Sequence, residues 1–254
     1  MKKIIILIIS TLALITFNVN AQYFEHWRKY RLEIMLSTGT SHYFGNIGGS
    51  EKEDPFFLFN TDLKQSQPAL HISGRYKIHE SAAIKIDLGY SKIKGSDEGS
   101  YYEDRGKEFS APIYEATAQI EMYFNKEKYL TIWEMKTKNA LQRMNMANYF
   151  FVGFGGFYSK PDENDQQDTD QLSLEYSGAQ ANLNLPVGIG AKFVFSERLF
   201  AGMEIGYRKT FTDKLDNTVR QDSNRKDAYM LMLFNIGYRF KTNPYITAKP
   251  KHYY

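Results

Sequence analysis

The stretch Tyr229-Met-Leu-Met-Leu-Phe-Asn-Ile-Gly-Tyr-Arg-Phe240 decides the fold. Read at a period of two, it puts Met230, Met232, Phe234, Ile236, Tyr238 and Phe240 on one face, as a strand with one side against an apolar medium requires. Its aromatic finish, Tyr238-x-Phe240, suits the last strand of an outer-membrane barrel. Seven earlier windows read as strands: Leu32 to Phe44, Ala69 to Ile78, Ala83 to Ile93, Ile113 to Phe124, Leu185 to Phe195 and Leu199 to Tyr207 alternate, and Tyr149 to Tyr158 alternates less strictly but is rich in Phe and Gly. The fourth is the cleanest, with Tyr114, Ala116, Ala118, Ile120 and Met122 facing away from Glu115, Thr117, Gln119 and Glu121. An even number of alternating strands of about nine to eleven residues matches a membrane's thickness and predicts an all-β, eight-stranded antiparallel transmembrane β-barrel with long external loops.

The start of the chain predicts export to the outer membrane. Met1-Lys-Lys3 is basic, Ile4 to Phe17 is apolar, and Val19-Asn20-Ala21 suits a cleavage site, so residues 1–21 read as a signal peptide. A signal-anchor helix is the alternative, but it needs about 20 apolar residues, more than this run offers. With no cysteine there is no lipid-anchor site, disulfide or thiolate metal centre. No later segment is apolar for long enough to form a membrane helix, and the mean hydropathy of -0.49 agrees. The 19 Tyr, 18 Phe and 18 Gly favour β structure. Net charge falls from +3 to +1 when Lys2 and Lys3 leave, which gives no reason to expect a nucleic-acid partner. Residues 22–240 then form one barrel domain, and 241–254 a flexible periplasmic tail.

Loop lengths orient the barrel. His79-Glu80-Ser81 and Ser196-Glu197 are tight and follow even-numbered strands, as periplasmic turns do. The connections Gly45 to Pro68, Lys94 to Ala111, Ser159 to Leu183 and Thr212 to Lys226 are long, polar and follow odd-numbered strands. One connection breaks this rule. Asn125 to Asn148 is long on the periplasmic side, and its Leu130, Trp133, Leu141, Met144 and Met146 suit a short amphipathic helix.

If the apolar parity faces lipid, the polar parity fills the lumen. The inward acids are Glu33, Asp87, Glu115, Glu121 and Glu204; the inward bases are Arg75, Lys77, Lys85, Lys192, Arg208 and Arg239. An eight-stranded interior is only wide enough for side chains, so this near-balanced set predicts a plug of ion pairs rather than a diffusion pore. A proton relay or narrow ion path is the functional alternative. Tyr76, Tyr90, Tyr114, Phe195, Tyr207 and Tyr238 suit interfacial girdles.

Catalytic and ligand-binding patterns are weak. Among the histidines His26, His42, His71, His79 and His252, only His42 lies beside a serine, Ser41, and adjacent strand residues point to opposite faces. The acidic run Asp162 to Asp170 lacks the glycine and final glutamate of an EF-hand loop. Gly153 to Gly156 and Gly188 to Gly190 lie inside strands, where glycine relieves crowding rather than cradling phosphate. Nothing here implies a catalytic site, a cofactor, a metal or a small-molecule substrate.

Four segments carry a family resemblance: Glu33 to Gly48, Asn148 to Pro161, Asn184 to Phe193 and Met203 to Asp216. Together they resemble the PorG-like outer-membrane barrels associated with type IX secretion and gliding. The most specific part is Gly206 to Asp216, whose loop residues Thr212, Asp213, Leu215 and Asp216 are not demanded by barrel geometry. Lys214 replaces a usual aromatic, Asn217 an acid, and Asn46 an aspartate. The resemblance implies a non-enzymatic structural or assembly component of the type IX machinery, surrounded by outer-membrane lipid and contacting a periplasmic lipoprotein or ring proteins. Leu130, Trp133, Leu141 and Met144 are then the expected contacts. The alternative is a stand-alone barrel for adhesion, recognition or envelope stability.

Overall fold

The computed structural model describes residues 26–44, 65–96, 108–125, 127, 145–160, 173–175, 179–212, 215, 218–220 and 227–242. Its strands are β1 Leu32–Phe44, β2 Gln67–His79, β3 Ala82–Ser96, β4 Glu108–Tyr123, β5 Asn145–Ser159, β6 Ser173–Glu175, β7 Gln180–Val194, β8 Leu199–Thr210, β9 Thr218–Arg220 and β10 Ala228–Phe240. Eight of them close into an antiparallel barrel in the order β1-β10-β8-β7-β5-β4-β3-β2. The strand that contains Tyr229 to Phe240 makes the closure: Phe240 pairs with Leu32, and Ala228 with Phe44. Closure leaves no unpaired sheet edge, the condition for backbone to cross hydrocarbon.

The barrel is inverted relative to a water-soluble one. Its exterior carries exposed Ile34, Leu36, Leu70, Ile72, Ile86, Leu88, Val187, Ile189 and Ile236, among others. Its interior buries lysines, arginines and carboxylates. Water would penalise such an exterior and lipid does not, so the chain is an outer-membrane protein. Among the described residues no helix is long and apolar enough to span a membrane.

Three expectations need correction. The barrel strands run from 12 to 16 residues, not nine to eleven: β5 gains Asn145 to Asn148 at the short-turn end, and β4 gains Glu108 to Pro112 at the end with long connections. That end also holds a two-stranded sheet, β6 with β9, inside connections expected to be loops. Its strands are three residues long, too short for alternation to reveal.

The lumen is also not uniformly polar. Near the same end, inward positions hold Ile93, Phe109, Ile113, Phe157, Leu231 and Leu233, which form one apolar cluster with Leu215. Each of these strand residues shares the parity of the inward polar residues on its own strand, so alternation gives its face; what it does not give is that apolar side chains on that face gather into one cluster.

At the short-turn end the chain's two ends are clasped. A single 3-10 turn, His26–Lys29, precedes β1. Thr242 N–H donates to the Lys29 carbonyl at 2.9 Å, and Arg31 N–H to Thr242 Oγ1 at 3.2 Å. The tail segment is therefore tied to the barrel as far as Thr242. Arg28 and Arg31 lie 5.4 and 5.3 Å from the Trp27 ring centre, and Tyr30 donates to Glu197 at 2.9 Å.

Candidate functional site: the charged lumen

All eleven charged residues assigned to the lumen by parity are buried: Glu33, Arg75, Lys77, Lys85, Asp87, Glu115, Glu121, Lys192, Glu204, Arg208 and Arg239. The barrel gathers them into two layers. In the lower layer Arg75 is the hub, with Nη1 3.1 Å from Glu33, Nη2 2.9 Å from Glu121 Oε1 and 3.5 Å from Glu204. Its Nε lies 2.6 Å from Glu121 Oε2 without hydrogen-bond alignment, so that contact is electrostatic. Arg75 also donates to the Tyr149 hydroxyl at 3.1 Å, and Tyr149 donates to Glu204 at 2.6 Å. Lys85 pairs with Glu204, while Lys77 and Lys192 pair with Glu33.

A sixth acid completes this layer, and parity could not find it. Glu127 follows β4, outside any strand, yet its carboxylate lies 2.6 Å from Lys192, 2.5 Å from Lys77 and 3.4 Å from Arg239. The five inward acids assigned by parity left six bases with one carboxylate too few. With Glu127 the two ion-pair layers hold six acids and six bases, and the pairing that low polarity demands becomes possible. The imbalance was the one available clue that an acid had to enter from a connection.

Glu127 also makes the floor sensitive to acid. Burial pushes its carboxyl up, but Lys192, Lys77 and Arg239 outweigh that and hold it well below the ordinary 4.5. Its folded value is thus lower than its unfolded one. The stability it contributes is fully present above about pH 4.5 and is lost as pH falls through the folded value. Urea-unfolding midpoints in lipid should therefore fall on acidification below pH 4.5, and Glu127→Gln should flatten that fall. Parallel acid profiles for the two proteins would refute the assignment.

The upper layer centres on Glu115, which accepts from Tyr229 at 2.5 Å and Asn184 at 3.3 Å and lies 3.4 Å from Arg208. His71 Nδ1 is 2.7 Å from Asp87 and 3.7 Å from Glu115. The ring fits because Gly89 has no side chain: a Cβ there would lie 2.1 Å from the imidazole. His71, Asp87 and Glu115 offer metal-ligand types within 4.8 Å of one another. However, Arg208 and the imidazole already supply positive and hydrogen-bonding partners to both carboxylates, and a dication would sit against the guanidinium.

Above this layer the resemblance motif dips inward. Leu215 is fully buried in the apolar cluster, and its N–H donates to Asp227 at 2.9 Å. Asp227 also accepts from Tyr43 at 2.8 Å, and Thr212 donates to Gln180 at 3.3 Å. The lumen is therefore an ion-pair floor, a polar middle and an apolar cap. Asp213, Asp216, Leu130, Trp133, Leu141, Met144, the leader and the acidic run Asp162 to Asp170 lie outside the described residues.

Ser41 and His42 do not form a catalytic pair. The Ser41 hydroxyl donates to the Lys92 and Gln67 carbonyls, whereas His42 Nε2 lies 3.1 Å from Thr40 and Nδ1 3.4 Å from Ser66. No described carboxylate is bonded to the His42 ring to orient it as a base.

The model of the family described as "Domain of unknown function (DUF6089)" matches residues 2–248. Among curated proteins none matches the chain. Its coordinates are similar to those of Ail, the attachment invasion locus protein of Yersinia pestis, in complex with the heparin analogue sucrose octasulfate. Identity there is 15% over 84% of this chain and 99% of that one, with a TM-score of 0.43. They are also similar to Neisserial surface protein A, at 10% identity over 82% and 97% of the two chains with a TM-score of 0.48. OprG from Pseudomonas aeruginosa is similar at 10% identity over 84% and 98%, with a TM-score of 0.43.

Proposed function

We propose that this chain, which belongs to the DUF6089 family, is a non-enzymatic structural or assembly component of the type IX protein secretion machinery. The barrel anchors it in the outer membrane, and its periplasmic face contacts a lipoprotein or ring proteins of the apparatus. The residues from Gly206 to Asp216 and the three companion segments support the type IX reading through their resemblance to PorG-like barrels.

The observation that carries the anchoring role is Glu127. It stands at the head of the one long connection on the short-turn side, and three cations of the floor hold it. The other end of that connection enters β5 at Asn145. Residues 128–144, which contain Leu130, Trp133, Leu141 and Met144, are thus tethered at both ends to a barrel whose interior is cross-linked by ion pairs. Force or binding on the connection is transmitted to the wall through charged contacts that cost several kcal/mol to break.

Deleting residues 128–143 while keeping Glu127 and Asn145 tests the proposal. The barrel is expected to insert at wild-type abundance, with its folded, fast-migrating form intact on unheated gels. Type IX substrates should then accumulate in the periplasm. Undiminished secretion by the deletion strain would overturn the reading and favour the stand-alone barrel, whose recognition surface would include the β6 and β9 sheet between the long connections.

A further inference from the structure

At the short-turn end, the periplasmic side in barrels of this kind, three neighbouring strands end alike. Arg31 stands one residue outside Leu32, the last outward residue of β1; Lys241 stands one residue outside Phe240 on β10, and Arg198 one residue outside Leu199 on β8. These strands are adjacent in the order β1-β10-β8. On the other five barrel strands the same place holds His79, Ser81, Asn125, Asn145 and Ser196, none of them a lysine or arginine. The three cations therefore form an arc on one sector of the rim, at the level where the lipid-facing wall gives way to headgroups.

Both guanidiniums of the arc are held against that wall. The Arg31 guanidinium lies 4.8 Å from the ring centre of outward-facing Tyr76, and its Nε donates to the Lys77 carbonyl at 3.0 Å. Arg198 Nη1 donates to the hydroxyl of outward-facing Tyr238 at 2.9 Å. These bonds engage one nitrogen of each guanidinium, and the remaining nitrogens have no hydrogen-bond partner among the described residues. The ion pairs of the described residues lie in the lumen and include none of Arg31, Arg198 and Lys241. Glu197, next to Arg198 in the chain, accepts from Tyr30 instead. Positioned guanidinium forks with no carboxylate, at the edge of a bilayer, match the oxygens of a phosphate.

We infer that this arc binds the phosphates of anionic phospholipids in the periplasmic leaflet, one headgroup at Arg31 and another at Arg198, with Lys241 adding charge on the strand between them. β10 separates the two arginine-bearing strands, which are thus about 10 Å apart, so each guanidinium takes its own phosphate. A zwitterionic headgroup fits less well, because it brings an ammonium into a sector that already holds three cations. An acidic protein fits less well, because both guanidiniums lie along lipid-facing tyrosines. The site rests on the orientation given by the loop lengths and not on the type IX reading.

The test uses the full chain in phosphatidylcholine nanodiscs doped with either phosphatidylglycerol or phosphatidylethanolamine, with retained lipid read by native mass spectrometry. Phosphatidylglycerol should be retained in preference. Arg198→Gln combined with Lys241→Gln leaves the Arg31 bond to β2 intact and should cut that retention about tenfold; adding Arg31→Gln should cut it further. Lys160→Gln combined with Lys209→Gln, which removes two exposed cations at the opposite end, should leave it unchanged. Equal retention of the two lipids, wild-type retention by the Arg198 and Lys241 variant, or an equal loss from the Lys160 and Lys209 variant would overturn the inference. So would displacement of the lipid by millimolar inorganic phosphate, which would mark a site for the free anion. Wild-type lipid retention by an arc variant that no longer co-purifies with an acidic periplasmic protein would give the arc to a protein partner instead.

Discussion

Arg75→Leu is expected to destabilise the barrel by about 3–5 kcal/mol, the range for removing one partner of a buried charge pair. The substitution strands more than one carboxylate. Arg75 touches Glu33, Glu121 and Glu204, and it is also the donor that holds Tyr149 over Glu204. Its guanidinium lies 5.2 Å from the Tyr149 ring centre and 5.8 Å from that of Phe200, so the cation is packed as well as paired. Lys77, Lys85 and Lys192 remain, but each is a point charge already engaged with its own carboxylate. Urea titration in lipid, read by the shift between folded and unfolded gel mobility, measures the loss. Adding Glu121→Leu should restore part of it by removing the charge left without its closest partner. A single variant within about 1 kcal/mol of wild type would show that the floor is not held through Arg75.

Gly190→Val should be the other severe change, through shape rather than charge. A Cβ at residue 190 would lie 2.3 Å from the Tyr149 ring and 2.6 Å from its hydroxyl, closer than real Cβ contacts come. The ring must move, and it cannot move without leaving Glu204 and Arg75. Overpacking costs about 1–3 kcal/mol. Each buried group left unpaired adds about 1–3 kcal/mol. Tyr149→Ala in the same chain should recover the steric part and none of the hydrogen-bonding part. Additive losses in the double variant would separate the two sites and sink the explanation.

Those two residues differ in how visible they are in the sequence. Arg75 was assigned to the lumen because Tyr76 and Ile78 on one side of it and Ile72 on the other take the opposite parity. Gly190 was visible as a glycine inside a strand, but the tyrosine it makes room for was not. Tyr149 opens a segment rich in phenylalanine on both parities, and only strand pairing shows that it faces Gly190. Ile93, Phe109 and Leu231 take the inward parity of their strands, but that they meet in one apolar cluster depends on the register between strands. Leu215 stands out in the sequence as part of a motif, while its place in the apolar cap goes with a hydrogen bond to Asp227, twelve residues on.

The sequence by itself determined the barrel, its strand number, its closure through Tyr229 to Phe240 and the side on which each lumen charge lies. It could do so because side-chain direction in a strand is local: residue i and residue i+2 share a face whatever else the chain does. Only the tertiary structure decided which charges meet, that Glu127 comes in from a connection to balance them, and that an apolar cap lies above the ion pairs. Those facts depend on register between strands far apart in the chain and on closure into a ring narrow enough to force opposite walls into contact. No local pattern encodes that distance.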